Sequence, residues 1–376
     1  VSDPTPAGNP RLRHSTDAKP GIQRRRRGRG FGYVDADGRR LTDRETLERI
    51  RSLAIPPAWE DVWICPDPLG HLQATGRDAK GRKVYRYHPR YRARREEAKY
   101  ERLVAFAHAL PRIRRQVDRD LGRPGLPREK VLAAVVRLLE LTLIRVGNDE
   151  YARLNRSFGL TTFRDRHASV RGTSIRFRFR GKSGVTHEVG LRDRRLAAVV
   201  RRCQDLPGQE LFQYVGDDGE PADVASDDVN DYLRSIPGAE GVTAKDFRTW
   251  AGTVLAYRAL RALDAPDTTT EAKRNVVSAI RDTADRLGNT SAVCRASYVH
   301  PVVVEAYLDP RLRGALLGAA ETVGSRQAIT PKEERAVVRL LERRLARDAA
   351  RGGKRGGNGR RSTGLRPRRQ SHSVSA

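Results

Sequence analysis

Near the end of the stretch Gly288-Asn-Thr-Ser-Ala-Val-Cys-Arg-Ala-Ser-Tyr298-Val-His-Pro301 stands the side chain we read as a nucleophile, Tyr298. One tyrosine among eleven means nothing alone. A phenol has a pKa near ~10, so at neutral pH it is mostly protonated and needs a cationic setting to lose its proton during attack. Three cations stand out from the many other arginines. Arg145 follows an apolar run in Leu143-Ile-Arg145-Val-Gly-Asn148, Lys182 sits at a predicted hairpin tip, and Arg248 lies in Lys245-Asp-Phe-Arg248-Thr-Trp250 at the start of a predicted helix. Each has a plainer reading: an ion pair of Arg145 with Asp149, an ion pair of Arg248 with Asp246, and for Lys182 the ordinary polarity of turns. Taken with Tyr298, they suit transfer at a phosphodiester. Without a metal, side chains must neutralise the non-bridging oxygens, and a guanidinium does so with a permanent charge and two parallel donors.

Other chemistries are poorly supported. Gly181-Lys182-Ser183 looks like the end of a Walker A loop, but the glycine required five positions earlier is Arg176, and a strand pattern follows instead of a helix. The eight histidines include no HExxH and no pair at metal-ligand spacing beside cysteines. Pro66-Asp67 followed by Asp78-Ala-Lys80 has residue types for carboxylate-bound magnesium, yet Asp78 and Lys80 fall in a glycine-flanked turn that holds nothing rigid. We expect neither a metal nor a nucleotide cofactor.

Composition points to a polyanion partner. The 376 residues carry a formal net charge of +28, of which residues 1–30 hold +6 and residues 351–376 hold +8, leaving +14 on residues 31–350. An Arg-rich but merely solvated surface remains the alternative. Cys65, Cys203 and Cys294 lie far apart and form no CxxC pair, which argues against a disulfide framework and fits a reducing compartment. No 18-residue apolar run and no signal-peptide core are present, so a cytoplasmic protein is expected.

The elements that must position these residues read as α+β. Residues 1–30 should be a disordered basic tail. Residues 31–92 read as a small β-rich domain: a strand before the Asp37-Gly38 turn, a helix capped at Thr42-Asp-Arg-Glu45, and strands at 62–65, 72–75 and 83–87. In the last strand Lys83, Tyr85 and Tyr87 share one face, with Arg86 on the other. Such a face could pack on nucleic acid or on the domain's own core. Residues 93–315 read as a mainly helical domain, with an apolar helix from Pro127, others near 191–204, 226–236, 243–262 and 270–287, and one hairpin over 175–189. Residues 316–350 read as a helical extension headed by the box Thr330-Pro-Lys-Glu333, and residues 351–376 as a second disordered basic tail.

In this order, Arg145 in Arg-Val-Gly-Asn, Lys182 in Gly-Lys-Ser-Gly, Lys245-Asp-Phe-Arg248-Thr, Gly288-Asn-Thr and Tyr298 resemble the motifs of the type IB DNA topoisomerases, especially the bacterial and poxvirus branch. The resemblance covers about residues 31–310 and includes the Ile55-Pro-Pro-Ala-Trp59 to Pro89 segment of a bacterial N-terminal domain. It implies a monomeric two-domain clamp around duplex DNA, nucleoid-associated in a bacterium and requiring no cofactor. Tyr298 would form a 3′-phosphotyrosyl link, Arg145 and Arg248 would stabilise the transition state, and Lys182 would be the general acid. Lys83, Tyr85, Tyr87 and Lys245 would contact DNA. Two departures stand out. Asn289 replaces the histidine of the poxvirus and nuclear enzymes, so it can donate a hydrogen bond but cannot titrate. Val84 stands where many relatives have a glutamine able to read base edges.

The alternatives are a tyrosine recombinase and a non-catalytic nucleoid protein. The first usually has His-x-x-Arg where this chain has Lys245-x-x-Arg248, and a helical N-terminal domain. Charge alone would support the second.

Overall fold

A computed structural model describes residues 11–28, 30–79, 81–317 and 328–356. The chain divides into two compact units, Val1–Tyr100 and Glu101–Ala376.

The first unit is an antiparallel sheet with one helix. It contains β1 (Ile22–Arg27), β2 (Gly30–Val34), α1 (Arg44–Ser52), β3 (Glu60–Ile64), β4 (Leu72–Arg77) and β5 (Lys83–Tyr87), with strand order β2-β1-β3-β4-β5. Ile22, Ile50, Val62, Ile64 and Ala74 form its core. The α1 cap is Asp43, one residue later than expected: its Oδ2 accepts the Thr46 amide at 2.8 Å.

The expected tail over 1–30 needs correction. Residues 22–27 form β1, paired with both β2 and β3, and Ile22 is buried. The arginine run is held by packing that its local sequence does not reveal. The Arg24 guanidinium lies 4.1 Å from the Phe31 ring centroid and donates to the Pro56 carbonyl at 3.1 Å. Upstream, Arg13 is bonded to Leu69 and His71, the Ser15 hydroxyl donates to the Leu72 carbonyl, and Asp17 accepts from Thr75. Residues 1–10 lie outside the described residues.

The second unit begins within α2 (Pro89–Leu121), so the divide falls inside a continuous helix. Then come α3 (Arg128–Thr142), α4 (Asp149–Asn155), β6 (Ala168–Arg171), β7 (Ser174–Arg180), β8 (Thr186–Arg192), α5 (Arg194–Gln204), β9 (Gln213–Val215), β10 (Pro221–Asp223), α6 (Ser226–Arg234), α7 (Ala244–Arg261), α8 (Thr269–Leu287), α9 (Ser291–Ser297), α10 (Pro301–Leu308), α11 (Pro310–Leu317) and α12 (Pro331–Gly356). The fold is thus a β-sheet unit followed by a mainly helical one.

Helices α3 and α7 are the centre of the second unit. α3 buries Val131 through Val136 together with Leu138 and Leu139, and it packs against α5, α6, α7 and β8. α7 is buried from Phe247 to Arg258. Strand β7 turns Ile175, Phe177 and Phe179 inward and Arg176, Arg178 and Arg180 outward, the alternation expected of a half-buried strand.

The extension docks through its first turn. In the Thr330–Glu333 capping box, the Thr330 amide and hydroxyl both donate to Glu333 Oε2 at 2.8 Å, and the same carboxylate receives the Arg258 guanidinium. Glu334 takes both Nη atoms of Arg114 at 2.8 Å and accepts from the Trp250 indole at 3.1 Å. α12 is thereby tied to α7, two residues from Arg248. The second expected tail is also corrected at its start, since the helix runs through residue 356. Residues 357–376 lie outside the described residues.

Candidate active site

Arg145 is placed by the end of α3. Leu143 closes that helix in the left-handed region (φ 57°), and the chain then runs extended against residues 159–162. The Leu160 amide donates to the Arg145 carbonyl at 2.9 Å, and the Thr161 amide to the Val146 carbonyl at 2.6 Å. Gly147 and Gly159 lie back to back: a Cβ on Gly159 would fall 2.6 Å from the Gly147 Cα. Gly159 must therefore lack a Cβ, while Gly147 needs glycine for its own reasons: its φ is +119°, and a Cβ there would lie 2.6 Å from Thr161 Oγ1. Asn148 then caps α4, accepting the Tyr151 amide at 2.8 Å.

Arg248 enters from the first turns of α7, with only 4% of its surface exposed. The ion pairs considered for the two arginines do not form. Asp246 is occupied as the α7 cap, accepting the Thr243 amide and hydroxyl at 2.8 Å. Arg248 instead donates to the Leu143 carbonyl at the end of α3 and, at 2.6 Å, to the Leu287 carbonyl at the end of α8. Helix C-termini carry partial negative charge, so two of them offset the burial of this cation without neutralising it. Burial and the neighbouring Arg145 charge pull its pKa down to about 10, which leaves it charged at neutral pH. Among the described residues neither Arg145 nor Arg248 has a carboxylate partner.

Asn289 is set by the stop of α8. Gly288 adopts φ +59°, and the Gly288 and Asn289 amides return to the carbonyls of Asp285 and Ala284 at 3.1 and 2.9 Å, a Schellman closure. Arg145 Nη2 donates to Asn289 Oδ1. The Asn289 amide nitrogen donates one hydrogen to the Leu287 carbonyl at 3.4 Å, which leaves its second N–H. Thr290 next caps α9, whose last turn delivers Tyr298: the Tyr298 amide bonds to the Cys294 carbonyl at 2.9 Å.

Tyr298 is half-buried beneath α7. The Arg248 guanidinium carbon lies 5.1 Å from its ring centroid. Burial alone would raise the phenol, but the charges of Arg248, Arg145 and Lys245 outweigh it and hold its pKa below the usual tyrosine value. The approach depends on Gly252, one turn after Arg248 on the same helix. A Cβ there would come 2.6 Å from the Tyr298 carbonyl oxygen and 3.0 Å from its Cβ. We therefore expect Gly252→Ala to push Tyr298 from its place and lower the melting temperature, although alanine suits a helix better by about 1 kcal/mol. Thermal melting checks this; an unchanged melting temperature would mean the backbone gap is immaterial.

Lys182 stands exposed in the turn between β7 and β8, which is closed by Gly181 N to Val185 O at 2.8 Å and Gly184 N to Gly181 O at 3.0 Å. Its ammonium is 5.8 Å from the Tyr151 ring centroid. A cleft of about 420 Å³ brings Arg145, Lys182, Lys245, Arg248 and Tyr298 together, with Tyr151 as a further lining residue that sequence reading did not single out.

The other expected contacts lie on β5 of the first unit. Tyr85 and Tyr87 stack at 6.0 Å, Tyr85 being 47% exposed and Tyr87 packing also on Tyr91 at 5.4 Å. Lys83 shares their face, 5.9 Å from the Tyr85 ring, but its ammonium pairs with Asp17 at 2.6 Å. Arg86 turns to the other face and donates to the Ala54 carbonyl. The carboxylates of the magnesium-like pattern are held by arginines: Asp67 by Arg13, Asp78 by Arg82. Lys80 lies outside the described residues. Among the described residues no group of three or more His, Cys, Asp or Glu is arranged to hold a metal, and no helix is long and apolar enough to cross a membrane.

Comparison with known proteins agrees with this geometry. Residues 88–311 match the family described as eukaryotic DNA topoisomerase I, catalytic core, and residues 30–78 match the bacterial DNA topoisomerase IB N-terminal domain. The chain is 32% identical over 294 residues to DNA topoisomerase 1B of Acanthamoeba polyphaga mimivirus, covering 76% of this chain and 87% of that protein. It is 22% identical over 274 residues to DNA topoisomerase 1B of vaccinia virus (strain Copenhagen), covering 71% and 83%. With both regions matched and a relative of this identity aligned along most of its length, the chain belongs to the type IB DNA topoisomerases.

Proposed function

We propose that the protein relaxes supercoiled duplex DNA by transesterification, needing neither ATP nor a divalent metal. The Tyr298 oxygen attacks a backbone phosphorus and gives up its proton as the new P–O bond forms. The P–O5′ bond breaks, its electron pair stays on the 5′ oxygen, and Lys182 supplies the proton that makes a 5′-hydroxyl. The other strand end is held as a 3′-phosphotyrosyl ester while the free end rotates. Reversal by the 5′-hydroxyl reseals the strand. One ester is exchanged for another, so the cycle requires no external energy.

The observation that carries this reading is a phenol sharing one cleft with two guanidiniums that lack carboxylate partners among the described residues. Arg248 spends two of its five N–H groups on helix carbonyls and its Nε–H is buried, so the remaining Nη hydrogens are those that would meet a phosphate beside Tyr298. Asn289, its oxygen engaged by Arg145, offers its second amide N–H. A neutral donor there implies graded sensitivity: Asn289→Ala should slow cleavage by about tenfold, and Asn289→Asp considerably more, because a carboxylate would pair with Arg145 and repel the phosphate. Single-turnover rates of the two variants test this order; equal rates would remove Asn289 from the phosphate's surroundings.

The defining experiment is to trap the covalent adduct on a nicked-site duplex and map the modified peptide, alongside relaxation of a plasmid of arbitrary sequence in excess EDTA. An adduct at Tyr298 together with relaxation supports the proposal. A plasmid left supercoiled unless a special site is present would point instead to a recombinase.

A further inference from the structure

His187, on β8, is wedged between two glycines that flank the catalytic groups. A Cβ on Gly181 would lie 2.5 Å from its Cδ2, and a Cβ on Gly288 would lie 2.5 Å from its Cε1. Gly181 immediately precedes Lys182, and Gly288 immediately precedes Asn289. The backbone of Gly181 (φ −90°, ψ −171°) is open to any residue, so the imidazole itself is what excludes a side chain there. The ring is further fixed by stacking on Phe179 at 5.3 Å. Among the described residues neither ring nitrogen has a hydrogen-bond partner, and the ring does not line the cleft. Its contacts are those of a spacer between two turns.

We propose that His187 is a positioning residue, a brace that sets the Lys182 turn against the Gly288–Asn289 turn and so places the Lys182 ammonium for proton delivery. Lys182 needs such help because it is exposed, and the bonds that close its turn among the described residues are main-chain ones. A brace at this place should be uncharged, since it stands near two guanidiniums. Burial and the charges of Arg145 and Arg248 hold the imidazole pKa below its ordinary value, which favours the neutral ring.

The proposal rests on Lys182 acting as proton donor, and the test separates the two ideas. Single-turnover cleavage is measured with an ordinary duplex and with one whose scissile 5′ oxygen is replaced by sulfur. In the sulfur substrate Tyr298 oxygen bonds to phosphorus, the P–S bond breaks, and the electron pair leaves on a thiolate that requires no proton. Lys182→Ala should be slow on oxygen and restored on sulfur. His187→Ala should follow the same pattern, slowed on the order of tenfold or more on oxygen and largely restored on sulfur, with duplex binding and melting temperature unchanged. If His187→Ala is equally slow on both substrates, or as fast as the parent on oxygen, the brace is wrong. If Lys182→Ala itself is not restored, the proton-donor role fails, and a second measurement judges the brace alone. Gly181→Ala should slow the parent, because its methyl displaces the ring, yet cost nothing further in the His187→Ala background. Additive losses there would overturn the brace even if both single variants fold less well.

Discussion

Tyr298→Phe is expected to bind duplex DNA as the parent does and to cleave none of it. The substitution removes one oxygen and keeps the ring that stacks on Arg248 at 5.1 Å, so packing under α7 should survive. What disappears is the atom that would form the proposed ester. Removal of a nucleophile costs on the order of 10⁴-fold or more where no other group can replace it, and Tyr151, which lines the same cleft, sits beside Lys182 rather than against Arg248. A denaturing gel of end-labelled DNA reads the adduct and a gel shift reads binding. Adduct formation by the variant would move the nucleophile elsewhere. The parent should also show a pH signature. Its phenol is held below the ordinary tyrosine range, so cleavage should rise with pH and begin to level off before an unperturbed phenol would ionise.

The second large effect is expected at Arg248. Arg248→Lys keeps the charge but loses the planar fork that joins the carbonyls at the ends of α3 and α8 and still presents N–H groups to a phosphate. A lysine ammonium is a single point that cannot reach both carbonyls and the substrate together. One oxyanion donor is worth about 3–4 kcal/mol, so we expect a 10²- to 10³-fold slower cleavage step with duplex binding little changed. Some loss of stability should accompany it, since two helix-end carbonyls lose a charged donor. Single-turnover cleavage at saturating protein, paired with thermal melting, separates the two effects. A variant that cleaves at the parental rate would mean the guanidinium serves the fold alone.

Much of the fold was legible because its cause is local. The alternation in β7, the apolar run of α3 and the Thr330–Glu333 box each express a preference that a short segment holds by itself, and each appears where the pattern placed it. The errors have the opposite cause. Ile22–Arg27 has one apolar residue before four arginines and reads as a tail, and it becomes a strand only because β2, β3 and the Phe31 ring supply its partners. Gly252 carried a faint signal, a glycine inside an apolar helix, while His187 carried none, because its role depends on two glycines from separate turns.

The same division runs through the site. Residue type and order along the chain marked out the candidate groups: a phenol, two guanidiniums, an ammonium and an amide, each in its own short motif. Tertiary structure decided their state. It left Asp246 in the α7 capping box and Arg248 to bond carbonyls 105 and 39 residues away in sequence, so among the described residues no carboxylate pairs with the positive charge near Tyr298. Chemical identity is a property of a side chain wherever it lies. Desolvation and the field of neighbouring charges exist only after distant segments have packed together.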